Sequence, residues 1–192
     1  MDARTYFNES FDEHETVARE TVLAVEDGFV RLLELCVQSI RSGGKLMFFG
    51  NGGSASDAQH LATELTVRFI TNRPSIAAIA LTTDTSALTA IGNDLGFEFL
   101  FSRQIEALGK PEDVAIAIST SGRSPNIVRA LTKAREIGMT AAAFGGKDGG
   151  DMRGLADPLL IVPSMTTARI QEMHIALGQM LCGALEIKLG LV

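Results

Sequence analysis

The spacing of apolar residues changes character near residue 43. Before it, ETVARETVLAVEDGFVRLLELCVQSIRSGG sets Val17, Thr21, Ala24, Val25, Leu32, Leu35 and Ile40 at roughly helical intervals. That spacing predicts a helix over 2–42, with Gly28 interrupting it and Gly43-Gly44 ending it. After it come short, wholly apolar runs: KLMFFG (45–50), SIAAIALT (75–82), VAIAIST (114–120), TAAAFGG (140–146) and DPLLIVPS (157–164). Segments with helical spacing separate them, at 57–69, 85–108, 125–137 and 148–156, and TTARIQEMHIALGQMLCGALEIKLGL closes the chain as one long helix.

Strands that are apolar on both faces and alternate with helices indicate a parallel sheet covered on both sides. The expected fold is therefore α/β, a three-layer αβα sandwich with a central parallel sheet, preceded by an N-terminal helical arm. No linker, low-complexity tract or charge block divides the chain, so 1–192 reads as one domain, with the helical segment at 1–42 and the α/β core at 43–192. The arm is expected either to cover its own sheet or to pack on a neighbour in an oligomer. A strand, a Ser/Gly loop and a helix follow one another at 45–69 and again at 114–137, a weak internal echo.

Composition narrows the function. The 192 residues are 46% hydrophobic and 21% charged, ordinary for a globular protein with a substantial core. A net charge of −6 disfavours nucleic acid and anionic membranes as partners. Any phosphate must then be held by local donors. Cys36 and Cys182 each lie in an apolar stretch and read as buried small hydrophobes, and no CxxC pair is present. MDARTYFNESFDEHET has neither the basic nor the apolar part of a secretory leader, and no apolar run reaches the roughly 20 residues of a membrane span. The expectation is a cytoplasmic protein.

Two loops carry the candidate chemistry. The first is Asn51-Gly52-Gly53-Ser54-Ala55-Ser56, followed by a capping-box pattern, Ser56-x-x-Gln59. Glycines let the chain turn sharply and a ligand approach, and free amides at a helix start suit an anion. The second is Ser119-Thr120-Ser121-Gly122-Arg123-Ser124, with Ser124 fitting N-cap and Pro125 fitting the first helical position. Capping explains Ser124 and Pro125 but not the three further hydroxyls, which would wrap a phosphomonoester with neutral donors. GxxxxGK[ST] and a strand-linked GxGxxG are both absent, so neither a P-loop nor a dinucleotide site is indicated.

His60 and Glu64, four residues apart, share a helix face and can converge on a metal or a substrate. Gln171, His174 and Gln179 lie on the last helix. Gln171 and Gln179 are separated by roughly 12 Å of helical rise, so one site takes both only if their side chains reach inward from different heights.

GNGGSASDAQHLATEL, LTAIGND, ISTSGRSPNI and TARIQEMHI, in this order, resemble the phosphoheptose isomerases of the sugar isomerase (SIS) domain family. The resemblance runs over nearly the whole chain. It implies a flavodoxin-like αβα fold and a homotetramer with active sites between subunits. It also implies conversion of sedoheptulose 7-phosphate to D-glycero-D-manno-heptose 7-phosphate, a step toward lipopolysaccharide heptose. By the same resemblance, Asn51, Gly52, Gly53, Ser54, Asn93, Asp94, Glu64 and Gln171 contact the substrate, and Ser119, Thr120, Ser121 and Ser124 hold its phosphate. His60, Glu64 and Gln171 are implied zinc ligands, and Glu64 is the implied catalytic base.

The family usually has a histidine eight residues after the motif glutamine, as fourth metal ligand and second acid–base group. Gln179 takes that place here. An amide oxygen is a weak ligand, and the amide does not exchange a proton near neutral pH, so Gln179 inherits the position without the proton chemistry. His174 is the alternative carrier. Two other readings stay open at this point: a non-enzymatic member of the family that binds the replication initiator, and an isomerase of another sugar phosphate. An intact Glu64 and STSGRS weigh against the first.

Overall fold

The computed structural model describes residues 2–192. Helix α1 (Ala3–Arg41) leads into β1 (Leu46–Gly50), α2 (Gly53–Thr66) and β2 (Ala78–Ala80). Then come α3 (Thr85–Asp94), α4 (Leu100–Leu108), β3 (Val114–Ser119), α5 (Pro125–Ile137), β4 (Thr140–Gly146), β5 (Leu159–Val162) and α6 (Thr167–Lys188). The five strands are all parallel, in the order β2-β1-β3-β4-β5.

Alternation along each strand sends side chains to two separate cores. Leu46 and Phe48 of β1, with Ile116 of β3 and Phe144 of β4, pack under α1, α2 and α6. Met47 and Phe49, with Ala115, Ala117 and Ala143, pack under α4 and α5, where Phe101 and Leu131 meet them. This is the expected three-layer sandwich. The switch in strand order falls between β1 and β3, so the loops leaving their carboxyl ends turn to opposite sides and open a crevice, the usual ligand position in such sheets.

Several local expectations are corrected. Gly28 does not interrupt α1, which runs unbroken for 39 residues, about 58 Å. A Cβ there would stand 3.6 Å from Leu160, an ordinary contact distance, so Gly28 sits within the helix without a turn or a close approach that requires it. The capping box at Ser56 and Gln59 is not formed. Gly52, at φ +57°, is the N-cap of α2, which starts at Gly53 rather than 57 and places Ser56 inside the helix. Gln59 instead donates to the Thr82 carbonyl at 3.2 Å. The 85–108 segment is two helices, separated by a turn at Gly96 (φ +110°) and a short 3-10 stretch. The 148–156 segment is turns around a single 3-10 turn, Gly150–Met152.

The two halves of α1 differ. Leu32, Leu33, Cys36 and Val37 are buried on the sheet, whereas Tyr6, Phe7 and Phe11 are exposed. The arm thus covers its own sheet with its C-terminal half and leaves an aromatic N-terminal half uncovered. Cys36 and Cys182 are both free and buried, as expected, and burial pushes both thiols up, Cys182 to about 12. No helix among the described residues is long and apolar enough to cross a membrane.

Candidate active site

The loop after β1 and the loop after β3 meet at the switch point. Asn51 Nδ2 donates to Asn126 Oδ1 at 2.9 Å, and Asn126 Nδ2 donates back to Asn51 Oδ1 at 2.8 Å. Asn126 is buried in the first turn of α5. The reciprocal pair fixes the distance between the two loops, and the Asn51 side chain is committed to it. Asn126 was not picked out by sequence reasoning; its place directly after Ser124-Pro125 was the available signal.

In the second loop the hydroxyls are divided between structure and mouth. Ser119 Oγ accepts from the Gly122 amide at 3.1 Å, and Ser121 Oγ accepts from the Arg123 amide at 3.3 Å. Ser124 occupies the N-cap of α5 with Pro125 after it, as expected, yet its side chain makes no capping hydrogen bond. Its hydroxyl, like that of Thr120, makes no hydrogen bond among the described residues. Gly122 has φ +65°, and a Cβ there would lie 2.2 Å from the Gly149 carbonyl oxygen. The β4–β5 connection therefore backs this loop main chain to main chain. Arg123 points sideways to Asp148 at 2.5 Å, and that guanidinium holds the Asp148 carboxyl at about 2.

Helices α2 and α6 run side by side in the same direction. Gly178 makes this possible: a Cβ there would lie 2.4 Å from Leu61 Cδ1. At matched heights, the Gln171 amide lies beside Gly53, 3.1 Å from where a Cβ would stand, and Gln179 meets His60. His60 Nε2 is 3.0 Å from Glu64 Oε1 and 2.6 Å from the Gln179 amide. Glu64 is partly buried, with 23% of its side chain exposed.

That contact set is chemically overfull. A bare Nε2 accepts from Gln179 but opposes the carboxylate; a protonated Nε2 serves Glu64 and needs the amide turned to present oxygen. A cation among an imidazole nitrogen, a carboxylate oxygen and an amide oxygen satisfies all three, so the donor set fits a divalent metal. Among the described residues, no group of three or more His, Cys, Asp or Glu gathers in metal-binding geometry, because two of the expected ligands are amides.

The remaining expected residues lie apart. Ser54 is buried, its Cβ against the Gly50 main chain. Asn93 and Asp94 are exposed at the end of α3, where Asn93 Nδ2 donates to Asp94 Oδ1 at 2.7 Å, and no hydrogen bond among the described residues joins them to the two loops. His174 cannot substitute for the missing histidine. It is fully buried, its Nε2 bonds the Gly145 carbonyl at 2.9 Å, and desolvation lowers its pKa to about 4.

Known proteins share this fold and much of this sequence. The SIS domain model matches residues 6–146. The phosphoheptose isomerase of Paramagnetospirillum magneticum is 58% identical over 186 residues, which span 97% of each chain. Phosphoheptose isomerase structures from Neisseria gonorrhoeae and Francisella tularensis match with TM-scores of 0.91 and 0.94, at 42% and 34% identity. Each alignment covers 97% of this chain and 100% of the other.

Proposed function

Since this chain belongs to the phosphoheptose isomerases of the SIS domain family, we propose that it interconverts sedoheptulose 7-phosphate and D-glycero-D-manno-heptose 7-phosphate. The aldose product feeds lipopolysaccharide heptose synthesis. The observation that carries this reading is the joining of the two loops at the β1/β3 switch point by Asn51 and Asn126, beside the helix that bears Glu64. The hydroxyls of Ser124 and Thr120 and the amides at the start of α5 receive the phosphate. Anchoring that end fixes the reacting carbons at the other.

Glu64 removes a proton from C1 of the ketose, next to the C2 carbonyl, giving a cis-enediolate, and returns it to C2. The hydroxyl proton must also move from O1 to O2. Gln179 does not carry it, which leaves that transfer to water. Zinc is part of the proposal: His60, Glu64 and Gln179 would hold it, with Gln171 completing the set. When bound, it supplies polarisation of the substrate's carbonyl oxygen. A carboxylate that ligates a metal is a weaker base, so the two roles of Glu64 compete.

The uncovered aromatic half of α1, Tyr6, Phe7 and Phe11, supports a homotetramer in which α1 packs on a neighbour. The exposed Asn93 and Asp94 would then complete a neighbouring site. A cytoplasmic location goes with this role. The test is turnover of sedoheptulose 7-phosphate by purified protein of measured zinc content, with the aldose product followed by NMR. Formation of the heptose is the expected result. No product, with zinc supplied and the fold intact, would reject the reading, and a panel of other ketose phosphates would then identify a different substrate.

A further inference from the structure

Glu64 stands in the last turn of α2, which ends at Thr66. That is a poor place for a precisely held carboxylate. The helix dipole is negative there, and the last carbonyls have no intrahelical donors. The local sequence supplies neither remedy: the C-cap is Val67, not a glycine, and the last turn contains no basic residue.

The remedy comes from Arg73. Its side chain is fully buried. Nη2 donates to the carbonyl of Glu64 itself at 2.8 Å, and Nη1 donates to the Leu65 carbonyl at 2.7 Å and the Pro74 carbonyl at 3.0 Å. Nε donates to Glu186 Oε1 at 2.6 Å, and that oxygen also accepts from the Phe69 amide at 3.2 Å. Glu186 lies on α6, seven residues beyond Gln179 and therefore on nearly the same helix face. One guanidinium thus ties the main chain of Glu64 to the helix that delivers Gln179.

A buried ion pair is weak evidence for stability, because well-packed apolar residues often hold a core as well. What apolar residues cannot do is satisfy the Glu64 carbonyl and oppose the negative end of the helix in one group; the Leu65 carbonyl accepts from the Ile76 amide as well, at 3.0 Å. We infer that Arg73, braced by Glu186, is a positioning residue that keeps Glu64 in register with His60 and Gln179. The inference rests on the isomerase reading for its catalytic consequence, but its structural half stands alone.

The test compares the full-length parent with the double variant Arg73→Met/Glu186→Met and with Arg73→Lys, which keeps the charge and loses the fork. Two readouts are taken: amide hydrogen exchange across residues 62–68, and kcat against KM. In both variants, exchange in that turn is expected to rise while the strands stay protected. Where the parent turns over, kcat is expected to fall at least about tenfold with KM changed less than about threefold, since small misplacements of a reacting group cost that much. Unchanged exchange at 62–68 in a folded variant overturns the inference whatever the parent's activity, and so does full kcat in a folded variant. If the double variant does not fold, Arg73→Lys decides by the same two readouts. An inactive parent counts against the isomerase reading, and the exchange data still judge the clamp.

Discussion

Asn51 and Asn126 exchange both of their side-chain amide hydrogen bonds, 2.9 Å and 2.8 Å, across the carboxyl ends of β1 and β3. The pair joins the loop that leads to Glu64 with the loop that offers phosphate donors. Asn126→Ala leaves the Asn51 amide without its partner and frees the loops to separate. The expected stability loss is about 1–3 kcal/mol. A KM increase of about tenfold corresponds to loss of roughly 1.4 kcal/mol of binding. Steady-state kinetics with a urea titration check both, and an unchanged KM would mean that the pair serves stability alone.

Ser124 separates capping from ligand binding. Its hydroxyl sits at the N-cap of α5 without capping it. Loss of a working cap costs about 1 kcal/mol, which lowers Tm by about 2–4 °C in a chain of this size. Ser124→Ala is therefore expected to leave Tm nearly unchanged while it weakens sugar-phosphate binding. Differential scanning calorimetry paired with calorimetric titration distinguishes the outcomes. A Tm drop without loss of binding would return Ser124 to an ordinary cap.

Much of this architecture was legible in the sequence, for physical reasons that also explain the misses. The strands read correctly because each is apolar on both faces, which only a doubly covered parallel sheet requires. Ser124-Pro125 gave the start of α5, since proline at N1 is a local signal. Ser56-x-x-Gln59 misled because a capping box is also local, but Gly52 at positive φ starts the helix four residues sooner. Gly28 misled because a lone glycine costs a helix only about 1 kcal/mol, and α1 is held by packing on residues such as Leu160, 132 positions away in the chain. Arg73 and Glu186 left no sequence signal, as 113 residues separate them.

Gln179 gives a test of the metal proposal. Its amide already stands 2.6 Å from His60 Nε2. Gln179→His puts an imidazole nitrogen, a better zinc ligand than an amide oxygen, at that position, and adds a group that exchanges protons near neutral pH. Zinc affinity is expected to rise about tenfold or more, equal to about 1.4 kcal/mol. Turnover is expected to rise with it. Competition against a zinc-binding dye measures the first and the NMR assay the second. Equal affinity in both proteins would remove residue 179 from the ligand set.

Glu64→Gln keeps the shape of the side chain and removes its basicity. Turnover is expected to fall by about 10²–10⁴, the usual contribution of a positioned general base. Sugar-phosphate binding should be largely kept, because the phosphate loop is untouched. Exchange of the C1 hydrogen with solvent deuterium, followed by NMR, should stop as well. Retained turnover would take the base role away from Glu64.

His174 predicts how stability responds to acid. Desolvation holds its pKa at about 4 in the folded chain, against an ordinary value of 6.5. Between those two values the unfolded chain binds a proton that the folded chain refuses, so stability falls as pH drops from 6.5 toward 4 and levels off below. The shift amounts to roughly 3 kcal/mol over that window. Nδ1 is buried with no hydrogen-bond partner, so the Gly145 carbonyl at Nε2 is the one hydrogen bond that favours the charged ring, and desolvation outweighs it. His174→Gln keeps a donor for the Gly145 carbonyl and removes the titration. Urea midpoints at pH 7.5 and pH 4.5 should therefore differ less in this variant than in the parent. An identical acid loss in both proteins would assign the pH dependence to the carboxylates instead.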